Sequence, residues 1–222
     1  MNAPVVVIMA KKPHPGVSKT RLCPPYTPEQ AAHLAEALLR DTIELVDALP
    51  EIQPAVAITP PEEKGYFQNL CPSHFWLLPV VGTNIGECLN TTINNLLDMG
   101  TTKVIAINAD GPDLPIEYLV KGVQELDSHD MVIGPTNDGG YYLIGLKSPT
   151  PRIFDGITWS TDLVFNQTLE IASNLGLTYA QLPFWHDVDT GQDVEQLKLK
   201  LKLMPSNRLV HTRKALTVQS NQ

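Results

Sequence analysis

The chain has 222 residues, 43% of them hydrophobic and 18% charged, with a formal net charge of −8. That is enough for one sizeable core in a single α/β domain, and the acidic balance argues against nucleic acid as a partner, because phosphate backbones need clustered Lys and Arg. The charge is unevenly spread: residues 1–28 carry Lys11, Lys12, Lys19 and Arg21 and no acid, and the chain after Glu195 carries six cations and no acid. Cys23, Cys71 and Cys88 are odd in number and lack CxxC spacing, which indicates neither a disulfide framework nor a zinc site and suits a cytoplasmic location. No apolar run is long enough to span a membrane, and no signal peptide is expected.

In chain order, residues 5–10 are a continuous apolar, β-branched run and read as a buried strand. Thr27-Pro28-Glu29-Gln30 then opens a helix, with Thr27 as cap, Pro28 in the first turn and Gln30 at the capping-box position, and apolar periodicity carries it to about 49. Strands are predicted over 55–59 and 75–78, a helix over 85–99 ended by Gly100, a strand over 103–108 and a helix over 116–126. Two strands over 131–135 and 141–146 are joined through Asn137-Asp138-Gly139-Gly140, a strong local hairpin signal. Ser160 or Thr161 is expected to cap a helix to about 175, residues 179–182 to form a last strand, and Asp193 to open the final helix. Leu and Lys alternate over 197–203, a strand-like period, yet the cap and the helix-forming composition favour helix. Strands alternating with helices imply a three-layer α/β/α sandwich, Rossmann-like and mostly parallel with a late antiparallel hairpin. One domain is expected over 1–204, followed by a polar, mobile tail over 205–222.

Chemistry concentrates at three places. The strand before Asp110 ends in Asp110-Gly111-Pro112-Asp113, two carboxylates spaced i and i+3 on a turn. Ligands of open α/β sheets bind at the carboxyl ends of the strands, and a hard cation such as Mg²⁺ takes one or two carboxylates plus substrate phosphates. Asp110 reads as a metal ligand; Asp113 reads equally as a ligand or as the cap of the next helix. A second acidic cluster, Asp187-Val188-Asp189, lies far along the chain. It fails as an EF-hand, because Gly191 and Gln192 fall at the fifth and sixth loop positions and Lys198 at the twelfth.

The third place is the loop after the first strand, Lys11 to Leu22. There Lys19 and Arg21 are suited to neutralise phosphates, Lys as a point charge and Arg as a bidentate fork, and Gly16 allows close backbone approach. Ser18-Lys19-Thr20 mimics the end of a P-loop, but Ser18 and Pro13 stand where that motif needs glycine. Asp138, at the hairpin turn, reads either as a plain turn residue or as a carboxylate available for proton transfer.

Several stretches together resemble one known family. Ala10-Lys11 with Pro15-Gly16-Val-Ser-Lys19-Thr20-Arg21-Leu22, then Ala109-Asp110-Gly-Pro112-Asp113-Leu114-Pro115, Asp138-Gly-Gly-Tyr-Tyr-Leu-Ile-Gly145, Trp159-Ser160-Thr161 and Asp187-Val-Asp189-Thr190, resemble in order the radical-SAM/selenodomain-associated transferases. That family is assigned to the GT-A fold of the nucleotide-diphospho-sugar transferase superfamily; the chain is also similar to phospholactate guanylyltransferases. The resemblance implies that the opening loop, with Ala10, Lys11, Gly16, Lys19 and Arg21, and Gly86 of the Gly-Glu-x-Leu motif hold the nucleotide. It also implies that Asp110 and Asp189 bind Mg²⁺ or Mn²⁺, while Lys19 and Asp138 serve catalysis. Two positions depart from the family: Gly111 replaces Ser or Cys, and Cys88 replaces Arg. The implied activity is glycosyl transfer from a nucleotide-diphosphate sugar to a small-molecule acceptor. The alternatives are nucleotidyl transfer, in which a nucleoside triphosphate and a phosphorylated substrate give pyrophosphate, or a binding protein that kept the fold and lost turnover.

Overall fold

A computed structural model describes residues 3–219. β1 (Val5–Ala10) is followed by the long helix α1 (Pro28–Asp47), then β2 (Gln53–Ile58), α2 (Lys64–Leu70), β3 (Trp76–Pro79), α3 (Ile85–Asp98), β4 (Val104–Ile107) and α4 (Ile116–Glu125). The chain continues through β5 (Met131–Pro135), β6 (Tyr141–Leu146), α5 (Val164–Asn174), β7 (Tyr179–Gln181), α6 (Gly191–Leu203) and α7 (Val210–Gln219). The seven strands form one sheet in the order β3-β2-β1-β4-β6-β5-β7, and only β6 runs antiparallel to its neighbours. This is the expected mostly parallel α/β/α sandwich.

Successive strand residues face opposite sides of the sheet, so helices on both faces demand apolar residues throughout each strand. In β1, Val6 and Ile8 pack with Leu39, Ile43 and Val46 of α1 and Leu119 of α4, while Val5 and Val7 pack with Leu89, Ile93 and Leu96 of α3. The predicted local signals hold where they are closed locally. Thr27 and Gln30 form the full capping box of α1, and β5 and β6 pair across the 137–140 turn; Asn84, which the sequence did not single out, caps α3. Gly139 has φ +88° there, and a Cβ would strike the backbone of Asp162, so glycine is required.

Three expectations fail. Neither Ser160 nor Thr161 caps α5; its N-cap is Leu163, and Thr161 Oγ1 instead accepts the Leu163 N–H at 3.3 Å. Asp193 is not the first residue of α6 but its third, closing a capping box on Thr190. The C-terminal segment is not a free tail. Leu209, Thr212, Ala215 and Leu216 are buried against α1 and α6, and the buried Asp41 of α1 accepts the N–H groups of His211 and Thr212 at 3.1 and 2.7 Å. Its sparse apolar residues concealed an amphipathic helix with a narrow buried stripe. Helix α2, also absent from the expectations, is short and buries only Phe67.

Candidate functional site

The sheet order reverses direction between β1 and β4. These strands are parallel neighbours, while their next partners, β2 and β6, lie on opposite sides. The crevice beyond their carboxyl ends is where open α/β sheets bind ligands. Here the loop after β1 meets the turn after β4 and the segment leading into α6.

At that meeting point the Lys19 ammonium lies 2.7 Å from Asp110 Oδ1 and 2.7 Å from Asp189 Oδ1. The Lys19 side chain is only 7% exposed, whereas the two carboxylates are 45% and 34% exposed and open toward solvent. Burial alone would lower the Lys19 pKa, but the two carboxylates outweigh it and hold the ammonium above its ordinary value. Its backbone sits at φ +51°, ψ +41°, left-handed for a non-glycine residue, a conformation that persists only where surrounding contacts impose it. Arg21, on the same turn, is 75% exposed with Nη1 3.8 Å from Asp189 Oδ2.

The carboxylates are placed from two directions. The Asp110 carbonyl accepts the Val188 N–H at 2.9 Å, tying the β4 turn to the 187–189 segment. Asp193 Oδ2 accepts the N–H groups of Asp189 and Thr190, fixing Asp189 at the mouth of α6. A third carboxylate, Asp187, accepts from Asn108 Nδ2 at 2.9 Å. Burial, with the neighbouring Asp110 charge second, pushes its pKa up to about 7. Sequence reasoning marked the Asp187/Asp189 pair but gave a ligand role to Asp189 alone. The spacing of two in an extended segment did not reveal that both stay near Asp110. Gly111 fits the same junction: a Cβ there would stand 2.9 Å from the His186 carbonyl oxygen.

Asp113 is neither a ligand nor a cap. Pro115 occupies the N-cap of α4, and the Asp113 side chain, 1% exposed, contacts Lys200 Nζ at 3.0 Å and His186 Nε2 at 3.2 Å. Burial opposes its ionisation, but His186 and Lys200 outweigh that and hold its pKa below the ordinary value. Lys200 also lies over the Trp185 ring, 5.0 Å from its centroid.

The other expected site residues are dispersed. Ala10 is buried at the end of β1 with its carbonyl bonded to Thr59 N–H. Lys11 is exposed, and Gly16 (φ +75°) lies at the exposed tip of the loop, whose chain reverses through Val17 and Ser18 N–H bonds to the His14 carbonyl. Lys12 and His14 anchor that loop on Glu63, at 3.0 and 3.2 Å. Gly86 is buried beneath the Trp159 ring, which a Cβ would strike, so its glycine serves packing of α3. Cys88 is 4% exposed in the core, with Thr59 Oγ1 3.7 Å from its sulfur. Asp138 is exposed, and its Oδ1 accepts from Thr136 Oγ1 at 2.5 Å and Gly140 N–H at 3.2 Å, the bonds of a turn residue.

A separate group, Asp41, Glu44 and His211, has carboxylate and ring atoms within 4.8 Å of one another. Both Asp41 oxygens are engaged by the N–H groups that begin α7, so the group acts as a helix anchor.

The family described as "Uncharacterized protein conserved in bacteria (DUF2064)" matches residues 42–161, more than half of the sequence. This chain belongs to that family. A protein of Desulfovibrio desulfuricans G20, provisionally assigned as a nucleotide-diphospho-sugar transferase, is similar throughout: 30% identity, 99% of this chain and 98% of that one covered, TM-score 0.88. More distant structures share the fold. A CMP:2-keto-3-deoxy-manno-octonic acid synthetase complexed with CTP is 11% identical over 90% of this chain and 99% of its own, TM-score 0.57. Rv0371c of Mycobacterium tuberculosis H37Rv, in complex with manganese, is 12% identical over 88% of this chain and 97% of its own, TM-score 0.54. No curated protein matches the sequence. Among the described residues, no helix is long and apolar enough to cross a membrane.

Proposed function

We propose that this chain is a nucleotide-dependent transferase that uses Mg²⁺ or Mn²⁺ and moves a sugar from a nucleotide-diphosphate sugar to a small-molecule acceptor. The observation that carries the reading is the convergence of Lys19, Asp110 and Asp189 at the crevice between β1 and β4, with two carboxylate oxygens 2.7 Å from one cation. Two carboxylates from separate elements that share one cation position are a hard-oxygen donor set suited to Mg²⁺ or Mn²⁺. Asp110 and Asp189 would hold the metal, which supplies charge neutralisation at a diphosphate. Arg21, exposed and on the same turn, is free to swing toward the terminal phosphate, and Lys19 carries the second positive charge toward the leaving group. Nucleotide contacts by Gly16, on the loop anchored to Glu63, and by Ala10 and Lys11 at its root are part of this proposal. Asp138 lies at the hairpin end of the sheet; its role toward the acceptor is part of this proposal.

The provisional assignment of the Desulfovibrio protein supports the sugar-nucleotide reading. Membership among the radical-SAM/selenodomain-associated transferases belongs to the same proposal, supported by the motifs at 10–22 and 187–190 that lie outside the family match. So does residence in the cytoplasm, supported by three free thiols. Nucleotidyl transfer is the second reading, favoured by two cations in the first loop facing the carboxylates, a placement that also suits a triphosphate and its pyrophosphate leaving group.

A thermal-shift panel of nucleoside triphosphates and nucleotide-diphosphate sugars, each with and without Mg²⁺ or Mn²⁺, tests both. A ligand at ~100-fold its Kd adds about 2.7 kcal/mol, which raises the Tm of a chain this size by several degrees. The best binder is then followed by ³¹P NMR with candidate acceptors. Release of nucleoside diphosphate supports glycosyl transfer, and release of pyrophosphate supports nucleotidyl transfer. No metal-dependent shift with any nucleotide would overturn both and leave the binding-protein reading.

A further inference from the structure

The ammonium of Lys19 sits where the two proposed metal ligands converge. It touches one oxygen of each at 2.7 Å, and its own side chain is 7% exposed while the carboxylates remain open. A third carboxyl group, Asp187, accepts from Asn108 Nδ2 beside them at 2.9 Å. One ammonium cannot neutralise the two carboxylates that share it. A divalent cation placed at the same point would do so better, yet it cannot share that point with Nζ at 2.7 Å from the same oxygens.

We propose that Lys19 is a built-in counter-ion of the metal site, so that cation entry expels its ammonium and frees it for the phosphate chain of the nucleotide. The inference rests on the metal reading above and adds an order to it: cation and anionic ligand enter together, because each relieves what the other leaves unpaired. The left-handed backbone at Lys19 sets the geometry of this device. With φ +51° immediately before the 3₁₀ turn at Thr20–Leu22, the side chain lies covered against Asp110 and Asp189, while Arg21 on the same turn is 75% exposed. The exposed Arg21 is therefore a neighbouring cation that does not fill the site, and it serves as the control for charge alone.

The test is Mn²⁺ binding to the full chain without nucleotide, read by the loss of the free-ion EPR signal. Lys19→Met is expected to bind Mn²⁺ at least tenfold more tightly than wild type. Arg21→Met, which removes the same charge without emptying the site, is expected to change affinity less than about threefold. Equal tightening in the two variants would mean a general charge effect and overturn the proposal while leaving the metal reading intact. Absence of Mn²⁺ binding by folded Lys19→Met would overturn the proposal and the metal reading together. Should Lys19→Met not fold, acylation of the wild-type chain with an amine-reactive ester, read by peptide mass spectrometry, takes its place. Saturating Mg²⁺ is expected to raise labelling of Lys19 several-fold relative to Lys11, and unchanged labelling in Mg²⁺ would overturn the exchange.

Discussion

Asp110 and Asp113 stand three residues apart on one turn, and each meets a lysine, but the two pairs are built oppositely. The Asp110 side chain is 45% exposed and shares its ammonium with Asp189, so two carboxylates compete for one buried cation. The Asp113 side chain is 1% exposed; its Oδ2 lies 3.0 Å from Lys200 Nζ and 3.2 Å from His186 Nε2, groups that reach solvent, while its Oδ1 is buried without a hydrogen-bond partner. The first arrangement has surplus negative charge and an open side, which suits an exchangeable ligand. The second sets one covered carboxylate between two side chains and has no open side, which suits a brace between the β4 turn and α6. Which group is in excess, and which is covered, separates a site from a strut.

Both clusters depend on α6, and α6 is held by α7: Arg213 donates to the carbonyls of Leu201, Met204 and Pro205 at the end of α6. Ending the chain at Asn207 should therefore damage both clusters at once. It uncovers the leucine-rich surface beneath α7, and at about 1.5–3 kcal/mol per large buried apolar side chain the Tm should fall by more than about 10 °C. An unchanged Tm by calorimetry would show that α7 does not support α6.

Single substitutions should then separate the clusters. Asp110→Asn is expected to weaken metal-dependent nucleotide binding by about 100-fold, close to 2.7 kcal/mol, while the Tm stays within about 1–2 °C because Asp189 still holds Lys19. Retained metal dependence in titration calorimetry would remove Asp110 from the site. Asp113→Asn should do the reverse. Loss of a buried partner costs 3–5 kcal/mol in fully buried pairs; with Lys200 and His186 partly exposed, about 2 kcal/mol is expected, with metal-dependent binding preserved.

The same contrast has a pH signature. Because the folded-state pKa of Asp113 is depressed, the folded state binds fewer protons than the unfolded chain as the group titrates. Its contribution to stability is full above the ordinary Asp range near ~4, begins to fall below it, and is lost as pH drops through the lower folded-state value. Denaturation of wild type between pH 6 and pH 3 should show a steeper loss of stability than Asp113→Asn; parallel slopes would mean that the brace carries no charge. The smallest effect is expected at Arg21: with Nη1 3.8 Å from Asp189 and 75% exposure, Arg21→Ala should leave stability unchanged and weaken nucleotide binding only several-fold.

Much of the frame was legible because its signals are local. The predicted strands over 5–10, 131–135 and 141–146 match the observed β1, β5 and β6, and Thr27 with Gln30 closes its capping box within three residues. The candidate site was legible in its parts: Lys19, Arg21, Asp110 and the Asp187/Asp189 pair all converge. What the sequence concealed depended on distant partners. Asp113 looked like a ligand or cap because its partners, His186 and Lys200, lie 73 and 87 residues away. Asp187 and Asp189 are two residues apart in an extended segment, where the chain alone does not say which carboxylate is covered. Gly86 looked like a nucleotide contact until Trp159 was placed over it.

By itself, then, the sequence determined the apolar strands buried on both faces, the hairpin and most of the helix starts, all set by periodicity and by hydrogen bonds that close within a few residues. Only the tertiary structure decided which charges meet. It closes Lys19 on Asp189 across 170 positions and Asp41 on His211 across the same separation. The pairing of two charges depends on their distance and burial, and neither is encoded in the spacing of residues along the chain.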